Sequence, residues 1–369
     1  MSDRQTAMRD FLVASGWGDA SVTPLPGDAS TRRYARLVRG GESHMLMDQP
    51  QGAETPTAPP DASEAERQAL GYNAVARLAG ADCARFAAVA AYLREHGLAA
   101  PQVLAADHAQ GFAVLEDLGD ALFADVLAQG GDEKALYQAA VEVLARIHAK
   151  DAPAQLSSDK PLFAYDQTAL IAETDLLIEW FAPLALGRDV MNAERAEHRG
   201  LWKAVLSKIE GGRQVFVHRD YHAQNLLWLP QRDGVARVGL IDFQDAVAGS
   251  PAYDLISLTE DARRDVSPEL AEIATQHYLD VMAAQGTPVN EPAFRREMAV
   301  MAAQRNAKIV GIFARLCKRD GKPRYLAYLP RVWAYLERDL SHPALSDLRD
   351  WYDRVIPKAK RTLPAMETP

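Results

Sequence analysis

No lysine occurs before Lys134, so any fixed positive charge in the first third of this 369-residue chain must come from arginine. Cysteine is scarcer still. Cys83 and Cys317 stand far apart; this argues against a disulfide framework and does not match metal-site spacing. Two free thiols in a reducing compartment are expected. No stretch approaches the roughly 20 apolar residues of a membrane span, and residues 1–19 lack the apolar core of a signal peptide. A cytoplasmic location without a membrane partner is the expectation. Clustered positive charge is missing too: the formal net charge is −9, which argues against a nucleic-acid partner gripped through its phosphates. Nothing implies an obligate protein partner.

What is present suits a folded chain of one large two-lobed domain or two ordinary ones. Hydrophobic residues make up 48% and charged residues 25%, enough to bury a sizeable core and cover it. Residues 5–15 have helical spacing. Short strands separated by Gly, Pro and Asp turns are expected at 21–25, 32–38 and 44–47. Residues 49–62, rich in Pro, Gly and Ala, read as a mobile loop. Helices at 63–78 and 84–96 and strands at 102–106 and 112–116 follow. Beyond a Gly-containing connector at 116–120, helices dominate: 121–128, 133–149, 167–181, 193–209, 251–259, 268–283, 291–317 and 328–339. Strands at 214–217, 225–229 and 236–241 interrupt them. The pattern is α+β, with a small antiparallel-sheet lobe over 1–116 and a larger helical lobe over 117–369.

Polar runs sit at the ends of the late strands, where rigid elements commonly present functional loops. The run VFVHRDYHAQNLLWL contains His218-x-Asp220-x-x-x-x-Asn225, and GLIDFQDA places Asp242 after the next strand. Phosphoryl transfer from ATP needs a carboxylate to orient the attacking hydroxyl and take its proton, and oxygen ligands for Mg²⁺. Asp220 suits the first role. Asn225 and Asp242 suit the second, because magnesium takes hard oxygen donors and keeps several waters. His222 reads as a loop residue. Asp245 either orients the metal loop or faces solvent.

The segments 215–229 and 238–245 resemble the catalytic and metal-binding loops of the aminoglycoside phosphotransferase/choline kinase family. That resemblance implies a bilobal protein-kinase-like fold, Asp220 as catalytic base, Asn225 and Asp242 as Mg²⁺ ligands, and His218 as a loop-holding residue. The short path from Asp242 to GSPAYDL, without a long activation segment, argues against a protein substrate.

The loop Gly27, Asp28, Ala29, Ser30 lies between two expected strands, where small residues let backbone N–H groups approach phosphates. Kinases of this fold usually carry a lysine on the third strand, yet HMLMD at 44–48 has none. Arg32, Tyr34 and Arg36 alternate onto one strand face. Arg32, or less favourably Arg36, is expected to replace the lysine with a forked guanidinium. Backbone groups of 116–118, including Glu116 and Leu118, fall where an adenine-binding hinge runs.

Two stretches are candidates for the acceptor. Glu173, Asp175 and Glu179 lie on a helix beside Trp180 and Phe181; Glu179 is the candidate for sugar hydroxyls, against a solvated acidic face. The stretch 302–326 is basic, and Arg305 and Lys308 share a helix face. The small-lobe run 27–36, Met47-Asp48, and the run Gln304-Arg305-Asn306-x-Lys308-x-x-Gly311-x-Phe313-x-Arg315-Leu316 resemble one branch of the family, the anomeric N-acetylmuramate/N-acetylglucosamine kinases of cell-wall recycling. The branch implies phosphorylation of an amino sugar at its anomeric hydroxyl, with Arg305 or Lys308 expected to meet an acceptor carboxylate. An aminoglycoside- or choline-type kinase and an inactive nucleotide-binding scaffold are the alternatives.

Overall fold

The computed structural model describes residues 3–27, 31–50, 52, 54–157 and 159–363. Two compact units are built from interleaved segments. The first comprises Met1–Val143, Pro153–Phe163 and Ala223–Ala246; the second comprises Leu144–Ala152, Ala164–His222 and Val247–Pro369.

The first unit contains an antiparallel sheet of strands β1 (Ser21–Pro24), β2 (Arg33–Arg39), β3 (Glu42–Asp48), β4 (Val103–Asp107) and β5 (Phe112–Glu116), ordered β1-β2-β3-β5-β4. The β2–β3 hairpin turns on Gly40 and Gly41, whose φ values of 60° and 86° suit the positive-φ pair of a tight two-residue loop. That turn sets the register Arg39↔Glu42 and Ala35↔Leu46. One sheet face carries Leu37, Leu46, Phe112 and Val114, covered by Phe11 and Leu12 of helix Asp3–Ala14 and by Trp17. Tyr34 and Arg36 alternate onto the opposite face.

Residues 54–60 are fastened rather than free, contrary to the mobile loop expected there. Arg77 donates to the carbonyls of Pro59 (2.7 Å) and Pro60 (2.8 Å), and Asn73 Nδ2 to that of Thr55 (3.0 Å). Pro- and Ala-rich composition describes the segment's own propensities; its carbonyls are held by side chains further along the chain. The unit is completed by helix Cys83–Glu95 and by the antiparallel pair Leu226–Trp228 and Val238–Leu240.

The second unit is largely helical and contains the antiparallel pair Val215–Val217 and Val247–Gly249. The 28-residue helix Glu291–Lys318 runs through it, and helices Gln167–Leu176, Ala252–Thr259 and Leu329–Leu340 pack on it. From Val300 to Cys317 nearly every residue is buried. Gly311 marks its tightest crossing: a Cβ there would collide with the backbone of Leu176 and Leu177, where the partner helix passes into the π turn Leu177–Phe181. Backbone cannot yield as a side-chain tip does, so the crossing distance requires glycine. The strand Val247–Gly249 and the helix Ser346–Val355 were not anticipated from sequence; both are short, and the helix hides Leu348, Trp351, Tyr352 and Val355 among six polar or charged residues. Among the described residues, no helix is long and apolar enough to cross a membrane.

Candidate active site

Residues singled out in the sequence fall into two constellations, one on each unit. In the first unit the ladder of Leu226–Trp228 with Val238–Leu240 pairs Leu226 with Leu240. One further bond, Ile241 N–H to the Asn225 carbonyl (3.1 Å), closes the same end. Asn225 and Asp242 therefore emerge together from one end of a rigid hairpin. Buried Phe243 anchors the turn by stacking on Phe86, ring centres 4.9 Å apart. Asp242 has φ +63°, a left-handed conformation costly for a non-glycine residue and concentrated at functional positions.

Asp242 Oδ1 accepts from Arg32 Nη2 (3.2 Å) and Gln244 Nε2 (3.1 Å), and Arg32 Nη1 donates to Gln244 Oε1. The Arg32 side chain is 8% exposed and that of Asp242 44% exposed. The carboxylate is thus open to a ligand while its cationic partner is packed in place. The Asn225 carboxamide and the Asp242 carboxylate are hard oxygen donors of the kind magnesium takes. Among the described residues, no group of three or more His, Cys, Asp or Glu side chains is arranged to hold a metal. A cation held here would keep much of its shell as water and substrate oxygen.

Two side chains that the sequence reading passed over or left open hold this loop. Arg85, 2% exposed, donates from Nε to the Gln244 carbonyl (3.2 Å), from Nη2 to that of Ala246 (2.9 Å) and from Nη1 to that of Pro161 (2.8 Å), while its guanidinium lies 4.2 Å from the Phe163 ring centre. Asp245 Oδ1 accepts the Ala79 N–H at 2.6 Å, so Asp245 orients the loop. A lone arginine in the apolar run CARFAAVAAYL was the available signal, because a charge in such a helix is buried only with partners.

Arg36, the second candidate for the missing lysine, is committed elsewhere. Its guanidinium binds Asp117 (2.8 Å) and Asp120 (2.6 Å). Gly27 is exposed, and a Cβ there would meet nothing within 4 Å among the described residues. Asp28, Ala29 and Ser30 lie outside the described residues. Glu116 ends β5; its carboxylate pairs with Arg94 (3.1 Å) and Arg232 (2.7 Å). Leu118 packs with Ala99, Leu227 and Leu229.

In the second unit, Asp220 follows strand Val215–Val217. The loop before it is clamped by Asp254 of helix Ala252–Thr259, whose two carboxylate oxygens accept the His218 N–H (2.6 Å) and the Arg219 N–H (2.8 Å). Burial pushes the Asp254 carboxyl up, to about 7, against the pull of those two N–H groups. Arg219 has φ +80°. Of the three non-glycine residues with positive φ among those described, one therefore directly precedes Asp220 and another is Asp242.

Beneath Asp220 lies a buried polar cluster. Glu173, fully buried, forms ion pairs with Arg219 and with Lys308 (2.9 Å), and accepts from Tyr165 Oη and from Gln304 Nε2 (3.1 Å). Lys308 Nζ also donates to Tyr253 Oη (3.2 Å). Burial by itself would raise the Asp220 carboxyl, but the positive charge of Lys308, reinforced by His222 and Arg219, outweighs it and holds the group below the ordinary carboxylate range. At pH 7 His222 is neutral, since burial lowers its imidazole to about 4.

The acidic and basic helix faces expected from sequence are not solvated faces. Of the three acids, Asp175 is buried against Arg199 (2.7 Å), Glu173 is buried as described, and Glu179 alone is exposed, on the π turn. Arg305 is 4% exposed and donates to Ser257 Oγ (3.0 Å) and the Glu260 carbonyl (3.1 Å). Arg305 and Lys308 thus both have protein partners. Asp254 was legible as a lone carboxylate inside the apolar run AYDLISL, the same signal that Arg85 carried.

Residues 21–288 match the model of the phosphotransferase enzyme family. Over 98% of this chain and 99% of that protein, the sequence is 48% identical to an N-acetylmuramate/N-acetylglucosamine kinase of Caulobacter vibrioides. It is 32% identical to a protein of the same name from Pseudomonas aeruginosa, over 93% of this chain and 92% of that one. Among solved structures, a putative aminoglycoside phosphotransferase from Ralstonia eutropha superposes with a TM-score of 0.58 at 15% identity, covering 95% of this chain and 98% of that one. A choline/ethanolamine kinase family protein from Mesorhizobium loti gives 0.54 at 15% identity, covering 94% and 98%. The structural likeness is one of fold.

Proposed function

The chain belongs to the phosphotransferase enzyme family, and from that premise we propose that it transfers the terminal phosphoryl group of ATP to the anomeric hydroxyl of an N-acetylated amino sugar, N-acetylmuramate or N-acetylglucosamine, giving the sugar 1-phosphate and ADP. The observation that carries this reading is the similarity along nearly the whole chain to the Caulobacter kinase named for those two sugars. Asp220 accepts the proton as the sugar oxygen forms its bond to the γ-phosphorus and the bond to the bridging oxygen of ADP breaks. The anomeric hydroxyl is more acidic than an ordinary alcohol, which suits a carboxylate base. Asn225 and Asp242 are the residues that would hold Mg²⁺, which would offset the negative charge of the phosphate oxygens. Residues 1–116 serve the nucleotide, with the loop at Gly27 toward the phosphates and backbone groups of 116–118 toward adenine. Residues 117–369 serve the acceptor, Glu179 toward its hydroxyls.

Arg32 takes the place of the absent strand lysine. Its position on Asp242 and Gln244 supports this, because a cation already packed against a metal-ligand candidate needs little rearrangement to meet phosphate oxygens. Arg32→Ala is expected to raise the KM for ATP about 10- to 100-fold, the loss of a charged hydrogen-bonding pair. An unchanged KM in steady-state rates would remove Arg32 from this role.

The acceptor is tested by following ADP release from Mg-ATP with each candidate. Turnover with N-acetylglucosamine or N-acetylmuramic acid is the expected result. Turnover with choline or an aminoglycoside alone would replace the amino-sugar reading, and ATP binding without turnover of any acceptor would replace it with that of a scaffold.

A further inference from the structure

The turn that follows helix Ala252–Thr259 presents Arg263 close to the loop of Asp220. It is held from two sides. Arg305 of helix Glu291–Lys318 donates to the Glu260 carbonyl (3.1 Å), and Arg331 of helix Leu329–Leu340 donates to that of Ala262 (3.2 Å). Asp261 Oδ1 accepts the Arg263 backbone N–H at 2.8 Å. The backbone carrying Arg263 is therefore fixed by side chains from two helices and by one of its own turn.

The Arg263 guanidinium itself makes no ion pair among the described residues. Its one side-chain hydrogen bond is from Nη1 to His222 Nε2, at 3.3 Å. That imidazole is kept neutral at pH 7 by burial, so it accepts a hydrogen bond without cancelling the charge. The neighbouring cations are spent: Lys308 on Glu173, Arg305 on Ser257 and a carbonyl, and Arg331 on Asp265 (2.5 Å). Asp261, in the same turn, uses Oδ1 on backbone, and its buried Oδ2 has no hydrogen-bond partner among the described residues. Arg263 is half-buried, one histidine side chain from the segment of Asp220. A partly desolvated guanidinium without a counter-ion favours a carboxylate ligand, which it binds through a planar fork.

We propose that Arg263 is a specificity residue that binds the carboxylate of an acidic acceptor whose reacting hydroxyl meets Asp220. The inference rests on the amino-sugar reading above and deepens it. It assigns to Arg263 the role that the sequence suggested for Arg305 or Lys308, which are buried, Lys308 in an ion pair with Glu173 and Arg305 with its donors on Ser257 and the Glu260 carbonyl. N-acetylmuramic acid carries a lactyl carboxylate and N-acetylglucosamine does not, so the two sugars differ at the group Arg263 recognises.

The test measures kcat/KM for both sugars with Mg-ATP in wild type, Arg263→Met and Arg263→Lys. In Arg263→Met the ratio of kcat/KM for the acid to that for the neutral sugar is expected to fall about 10- to 100-fold, mainly through KM of the acid. In Arg263→Lys the ratio recovers part of the way, because a point charge replaces the fork. Activity on the neutral sugar reports that the variants fold. A ratio unchanged by the Met substitution overturns the inference while leaving the amino-sugar reading in place. A wild-type protein inactive on both sugars overturns that reading and this inference with it.

Discussion

Asp220→Asn lowers kcat by a factor of about 10²–10⁴, the range supplied by a positioned general base, while nucleotide affinity stays near the wild-type value. The substitution keeps the shape of the side chain, so the loop geometry set by Asp254 on the His218 and Arg219 N–H groups persists. What disappears is an acceptor for the hydroxyl proton. Asn225 and Asp242, the proposed magnesium ligands, are untouched, which is why binding survives. The state of the carboxyl matters as well. Burial opposes its ionisation, and the Lys308 charge overcomes that opposition, so Asp220 is ionised from below the ordinary carboxylate range upward. Steady-state ADP release and nucleotide titration together check the outcome. An Asn variant that turns over at wild-type rate would remove Asp220 from the base role.

Glu173→Gln destabilises the protein by about 3–5 kcal/mol, the usual cost of breaking a buried ion pair from one side. Glutamine fits the space, and it can still meet Tyr165 and Gln304. It cannot balance two buried cations, Arg219 and Lys308, which lose the carboxylate that pairs directly with both. The pH dependence has a definite sign. Burial would raise the Glu173 carboxyl, but Lys308 and Arg219 bring it down to about 2 from the ordinary glutamate value of 4.5. Its contribution is therefore complete above about 4.5 and is lost as pH falls through about 2. Urea unfolding at neutral pH measures the loss, and the variant lacks the wild type's steepening between those two pH values. A change below about 1 kcal/mol, the scale of an exposed pair, would show that the cluster is not holding the fold.

These two results concern residues of opposite legibility. Asp220 stood out because the chemistry of phosphoryl transfer places a base and metal ligands at short chain separations, and strand–turn patterns around 215–242 marked where loops project. The β2–β3 hairpin was equally open to reading, since Gly40-Gly41 between alternating strands specifies its own turn. Glu173 was visible only as one acid on a helix. Its partners Arg219 and Lys308 lie far along the chain, and helical spacing alone grouped Lys308 with Arg305 and not with Glu173.

The amino-acid sequence by itself determined the α+β class, the course of most helices and sheet strands, and the candidate catalytic triplet, because turn chemistry, side-chain period and loop motifs act over a few residues. The tertiary structure alone decided which charges are spent and which remain. Arg32 and Arg36 share a strand face, yet Asp117 and Asp120 take Arg36 while Arg32 reaches Asp242. Lys308 and Arg305 are buried with partners, and Arg263 is left with a neutral imidazole. The physical reason is that a charge's role depends on what lies within a few ångströms of it, and in a packed chain those neighbours come from elements distant in sequence.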